Sequence, residues 1–139
     1  MNRDGDAYQK GLAKLRTMTD DQGVQMIENY RNISPRFVDM MVGYGFGEVY
    51  DRDVLDQQQR TLITLSSLIS QGAFEQLPFH IRAALKAGFS AEEIVEVMLQ
   101  CSAYAGFPKA ATAIRIAGEI FEEKGISAVR DDEEKPGSP

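Results

Sequence analysis

Proton transfer near neutral pH is the chemistry this sequence most readily offers, and it offers it at His80. That residue is the only histidine in 139 residues, and imidazole is the one side chain whose unperturbed pKa lies between pH 5 and 8. Helical spacing groups His80 with Leu77, Ile81, Ala84 and Ala87, so the ring is expected to face the apolar side of its helix. Gln76, four residues earlier, and Ala73, seven earlier, share that face. Two readings of the position stand open: a proton carrier in a pocket, and a core histidine with its hydrogen bonds satisfied.

Four other side chains could take part. Arg60 lies away from the apolar stripe of its helix and could clamp a carboxylate with its planar fork, the alternative being a solvated or salt-bridged arginine. Tyr104 borders an apolar face, either as core or with its hydroxyl lining a pocket, and Glu48 follows a glycine-rich segment as a candidate acid. Cys101, the single cysteine, reads as a small buried hydrophobe, because nothing near it in sequence supplies the electropositive setting of a reactive thiol. Glu92, Glu93 and Glu96 read as helix-start and solvent-face charge. One histidine and no cysteine pair leave no His/Cys ligand set, so no metal site is expected.

The elements that must position these residues read as helices throughout. Tyr8, Leu12 and Leu15 mark a first helix, and Asp20 or Asp21 can cap a second running to about Tyr30. Pro35 opens a third with Phe37, Met40, Met41 and Tyr44 on one side, and Gly43, Gly45 and Gly47 are expected to weaken and end it. Asp56 can cap a fourth, with Leu62, Leu65, Leu68 and Ile69 as its apolar stripe. A fifth is expected from Phe74 or Glu75 to Gly88, with Pro78 near its first turn. Ser90 and Glu93 form a capping box for a sixth, which places Ile94, Val97, Met98 and Cys101 on one face. After Gly106 and Pro108 a seventh turns Ala110, Ala113, Ile114, Ala117, Ile120 and Phe121 inward, and Gly125 stops it. No stretch alternates with the period of a strand, so the fold class is all-α. Residues 1–126 are expected to form one helical domain, and 127–139, polar and rich in breakers, a disordered acidic tail.

Composition narrows the partners. A net charge of −6 and the lack of any basic stripe argue against nucleic acid. No apolar run has the length of a membrane span or the pattern of a signal peptide, so a cytoplasmic protein with no membrane partner is the expectation. There is no phosphate-cradling glycine loop, dinucleotide fingerprint or nucleophile elbow.

The run His80-Ile81-Arg82-Ala83-Ala84-Leu85-Lys86-Ala87-Gly88 is followed by Ser90-Ala91-Glu92-Glu93-Ile94-Val95-Glu96-Val97, by Gln100 and by Tyr104-Ala105-Gly106-Phe107-Pro108. Together with Arg60-Thr61-Leu62 and the start at Tyr8 to Gly11, this order of blocks resembles the carboxymuconolactone decarboxylase family over about Tyr8 to Glu123. The resemblance implies an AhpD-like fold of packed helical hairpins, assembled as homotrimers or homohexamers. It also implies a cofactor-independent carboxy-lyase of the kind found in aromatic degradation, acting on a small carboxylated lactone or related enolisable acid. In such a site Arg60 would anchor a carboxylate, His80 would be the general acid, and Gln76 or Tyr104 would donate to the developing oxyanion. The family's redox branch, to which a peroxiredoxin-type activity belongs, uses Cys-x-x-Cys-x-x-x-His with an upstream Glu. Ala73 and Gln76 stand at the two cysteine positions and Thr61 at that Glu, so a dithiol relay is the weakest reading. The other reading that stays open is a small-molecule-binding or scaffold protein with a structural His80.

Overall fold

The computed structural model describes residues 5–129. Among them the backbone forms seven α-helices, a short 3-10 turn and a π-helix, and no strand. The expected tail lies almost wholly outside the described residues. Contacts gather the chain into two compact units, Met1–Arg60 and Thr61–Pro139.

In the first unit, α1 (Asp6–Met18) buries Tyr8, Gly11, Leu15 and Met18 along one face. The Asp20 carboxylate accepts from the Gly23 amide at 2.9 Å and starts α2 (Asp21–Glu28). This satisfies one of the donors that a helix start leaves without a partner. A 3-10 turn (Asn29–Asn32) leads to α3 (Pro35–Met40), which opens with Pro35 in its first turn and the Ser34 hydroxyl accepting from the Phe37 amide.

The glycines expected to end this third helix do not end it. The chain continues as a nine-residue π-helix, Met41–Val49, closed by a bond from the Tyr50 amide to the Gly45 carbonyl. The reason is close packing against α1. A Cβ on Gly11 would lie 2.0 Å from the Val42 carbonyl oxygen, and one on Gly47 would lie 2.3 Å from that of Ala7. The missing side chains let two backbones touch. The face carrying Phe37, Met40 and Tyr44 is exposed, and Val38, Val42 and Phe46 turn inward instead. α4 (Gln57–Gln71) starts at a capping box in which Asp56 and Gln59 exchange bonds of 2.8 and 3.0 Å.

In the second unit α4 buries Thr61, Leu65 and Ile69, and Leu62 stands at the exposed edge of the expected stripe. The left-handed Gly72 turns the chain toward α5 (Leu77–Lys86), which begins a few residues later than expected. The expected Ser90–Glu93 capping box opens α6 (Ala91–Ala105), with bonds of 3.0 and 2.9 Å. α7 (Phe107–Lys124) ends at Gly125 in the left-handed conformation. Leu65, Ile69, Leu77, Ile81, Ile94, Met98, Ala113 and Ala117 form the centre of one core. Each of the large aliphatic side chains among them contributes roughly 1.5–3 kcal/mol through its removal from water. The alanines on α7 let its axis approach α5 and α6 closely.

Candidate functional site

α5 sets the position of His80. Pro78 occupies its first turn, where a missing N–H costs little. Leu77, Ile81 and Ala84 are fully buried and anchor the helix in the core. His80, one position from Ile81 around the helix, is half-buried at the border of that face. The Phe79 ring meets the imidazole nearly edge-on, with centroids 5.0 Å apart and planes inclined at 67°. Burial disfavours the charged ring and lowers its pKa from 6.5 to about 4.

Among the described residues the imidazole makes no hydrogen bond to the protein. No wholly buried polar side-chain atom among them lacks a partner, so the ring nitrogens must retain access to solvent. The result is a neutral, desolvated imidazole with free nitrogens. It can accept a proton at pH 7, and it can donate one only after taking it up.

The other candidate residues fall in different surroundings. Gln76 is exposed at the N-cap of α5, and its side chain makes no capping bond. Arg60, the last residue of the first unit, is half-buried. Its Nε donates to the Leu55 carbonyl at 3.2 Å and its Nη2 to the Arg52 carbonyl at 3.1 Å, so the guanidinium braces the turn before α4. Glu48 is exposed on the π-helix, in a hollow of the first unit shared with Asp6, Lys10 and Asp51. Tyr104 is 88% exposed and therefore no part of the core; it lines a cleft between α4 and α6 that also reaches Cys101. Cys101 is buried and unpaired, as its apolar neighbours suggest. Among the described residues no group of three His, Cys, Asp or Glu side chains is gathered to hold a metal ion. No helix there is long and apolar enough to cross a membrane.

One polar cluster escaped sequence reasoning. In the first unit Arg31 pairs with Glu28 and, at 2.8 Å, with Asp39, and the Tyr8 hydroxyl donates to Glu28. The guanidinium carbon sits 5.2 Å from the centre of the Tyr8 ring. Burial disfavours the charged guanidinium, but hydrogen bonds with Tyr8, Asp39 and Glu28 outweigh it and raise the Arg31 pKa. The Glu28–Arg31 spacing was the one local signal, and it looks like any surface helix pair.

The described residues are thus helical without strands, and they carry one desolvated imidazole with no cysteine beside it on α5. The chain belongs to the carboxymuconolactone decarboxylase family, whose profile matches residues 35–119. It is 30% identical over 125 residues to 4-carboxymuconolactone decarboxylase of Acinetobacter baylyi, covering 89% of this chain and 93% of that one. It is 32% identical over 114 residues to nitrosuccinic acid decarboxylase of Metarhizium robertsii, covering 78% and 79%. An uncharacterized 15.0 kDa protein of Paracoccus denitrificans is 35% identical over 86 residues, 60% of this chain and 64% of that one.

Proposed function

We propose that this protein is a cofactor-independent decarboxylase of a small carboxylated acid whose own structure carries the electron sink, with His80 as the proton carrier. The observation that carries this reading is the half-buried imidazole, its pKa lowered by burial, with no hydrogen-bond partner on its nitrogens among the described residues. The named substrates of two relatives, a carboxylated muconolactone and nitrosuccinic acid, support it from the side of the chemistry. Each holds an electron-withdrawing group, a lactone or a nitro group, that can receive the electron pair of a breaking carbon–carboxylate bond.

The step needs little from the protein. Carbon dioxide leaves, the pair it leaves behind spreads into the lactone carbonyl or the nitro group, and carbon then takes a proton. His80 delivers that proton. Free imidazole here is neutral at pH 7, so the ring must be loaded first. A bound carboxylate close to a desolvated ring favours its charged form and raises its pKa, which couples proton uptake to substrate binding. Gln76, one turn earlier, can donate a hydrogen bond to the developing oxyanion but cannot transfer a proton as a carboxyl group would.

Carbon dioxide release from 4-carboxymuconolactone and from nitrosuccinate tests the reading. Wild type should turn over at least one such acid without added cofactor, and His80→Gln should lower kcat by about 10²–10⁴-fold. Undiminished turnover by the folded variant would overturn it and return His80 to a structural role.

A further inference from the structure

A proton carrier must be aimed as well as loaded, and His80 lacks the usual means of aiming. Rotation of an imidazole about its Cβ–Cγ bond is broad and roughly two-fold. A functional histidine is commonly held by a hydrogen bond from one ring nitrogen to a carbonyl or carboxylate, which leaves the other nitrogen for the chemistry. Here neither nitrogen makes such a bond among the described residues. One side chain stands in that place. The Phe79 ring, with centroids 5.0 Å apart and planes inclined at 67°, is the one ring, hydrogen-bond or ion contact that the imidazole makes among the described residues.

Sequence neighbourhood alone does not produce this contact. Successive side chains leave a helix about 100° apart and do not face each other. Phe79 and His80 are the third and fourth residues of α5, and Pro78 in the first turn fixes where that helix begins. Leu77 and Ile81 are wholly buried and take the inward direction. Going around the helix, His80 comes next to that buried face and Phe79 next after His80. Both are half-buried, and the phenyl ring leans back over the imidazole from its outer side. Charge does not take the ring's part. α5 packs against α6 and α7. Glu75 precedes α5, and Arg82 and Lys86 lie on it. Glu123 of α7 is bound to Arg82 at 2.6 Å, and Glu93 of α6 is held in its capping box. None of them acts on the imidazole, whose pKa is lowered by burial alone.

We infer that Phe79 is the positioning residue of this site: its ring sets the plane of the imidazole and keeps water off its outer side, where a carbonyl or carboxylate would otherwise hold a nitrogen. A phenyl ring offers no acceptor, so both nitrogens stay open to a bound acid. Phe79's part in turnover rests on the reading of His80 as the proton carrier; its hold on the ring does not. Proton NMR follows the imidazole in the full chain, and turnover of the acid that wild type decarboxylates is measured beside it. Phe79→Ala strips the ring away, Phe79→Leu keeps apolar bulk without a flat ring, and Phe79→Tyr keeps the ring. In Phe79→Ala the titration should rise from about 4 toward 6.5, while Phe79→Tyr should titrate as wild type does. Should Phe79→Ala fail to fold, Phe79→Leu carries the titration, with a smaller rise expected. Phe79→Leu should lower kcat by about tenfold or more with KM little changed, and Phe79→Tyr should restore it. A titration that stays near 4 without the ring, a folded Phe79→Leu with wild-type kcat, or equal losses of kcat in Phe79→Leu and Phe79→Tyr would overturn the inference. If wild type releases no carbon dioxide from either acid, the decarboxylase reading fails, and the titration still decides whether Phe79 governs the ring.

Discussion

The Phe79 ring stands nearly edge-on to the His80 imidazole, with centroids 5.0 Å apart, at the border where α5 passes from core to surface. That contact helps remove water from the imidazole without replacing it by a protein hydrogen bond. A core histidine with its hydrogen bonds satisfied would have rested on a carbonyl or carboxylate. The ring instead has its nitrogens open to whatever enters beside it.

Stability should therefore depend on pH in part through this residue. In the unfolded chain the imidazole binds its proton near 6.5, and in the folded chain near 4. Between those values the unfolded chain holds more protons, so stability rises with pH. The contribution of neutral His80 is fully present above pH 6.5 and is lost as pH falls toward 4. It amounts to on the order of 2–3 kcal/mol after allowance for the ring's partial exposure. Urea midpoints at pH 7.5 and 4.5 should show wild type losing more stability than His80→Gln over that interval; equal losses would contradict the desolvated ring.

Two glycine substitutions should act in opposite directions. Gly47→Ala drives a Cβ to within 2.3 Å of the Ala7 carbonyl oxygen, a backbone atom that cannot move aside. We expect it to cost about 3 kcal/mol or more. Gly118→Ala, within α7, meets nothing within 4 Å and should stabilise by roughly 0.5–1 kcal/mol through the lower entropy of the unfolded chain. Thermal melts of the pair check both signs at once.

How much of this was legible in the sequence depends on whether the cause was local. The caps at Asp20 (with Asp21 as the alternative), Asp56, Ser90 and Gly125 were readable because a cap joins residues a few positions apart, whereas Ser34 went unnamed beside Pro35. The row of His80 beside Leu77, Ile81 and Ala84 was readable from helical period alone. The continuation through Gly43, Gly45 and Gly47 was not, because helix propensity argues against it and only contact with Gly11 and Ala7 explains it. Tyr104 was open to two readings because α6 carries apolar residues beyond its buried face, and the structure exposes it. Arg60 was open to two readings, a carboxylate clamp and a solvated or salt-bridged arginine, and its fork holds the Arg52 and Leu55 carbonyls, contacts that spacing could not reveal.

The cluster around Arg31 should be costly to break. Arg31→Met would leave the carboxylates of Glu28 and Asp39, both largely buried, facing each other without a cation. We expect a loss of about 3 kcal/mol. Tyr8→Phe, which removes only the hydroxyl given to Glu28, should cost about 1 kcal/mol. Urea unfolding of both variants gives the comparison, and similar values for the two would contradict a charge-centred cluster.

The most direct measurement is a proton NMR titration of the imidazole, which needs no assignment because the chain has one histidine. In the free protein the ring should titrate near pH 4. With a carboxylated lactone bound, its apparent pKa should move upward as the anion loads the proton. A ring that titrates near 6.5 in the free protein, or one whose pKa ignores the bound acid, would contradict the assignment of His80 as the proton carrier.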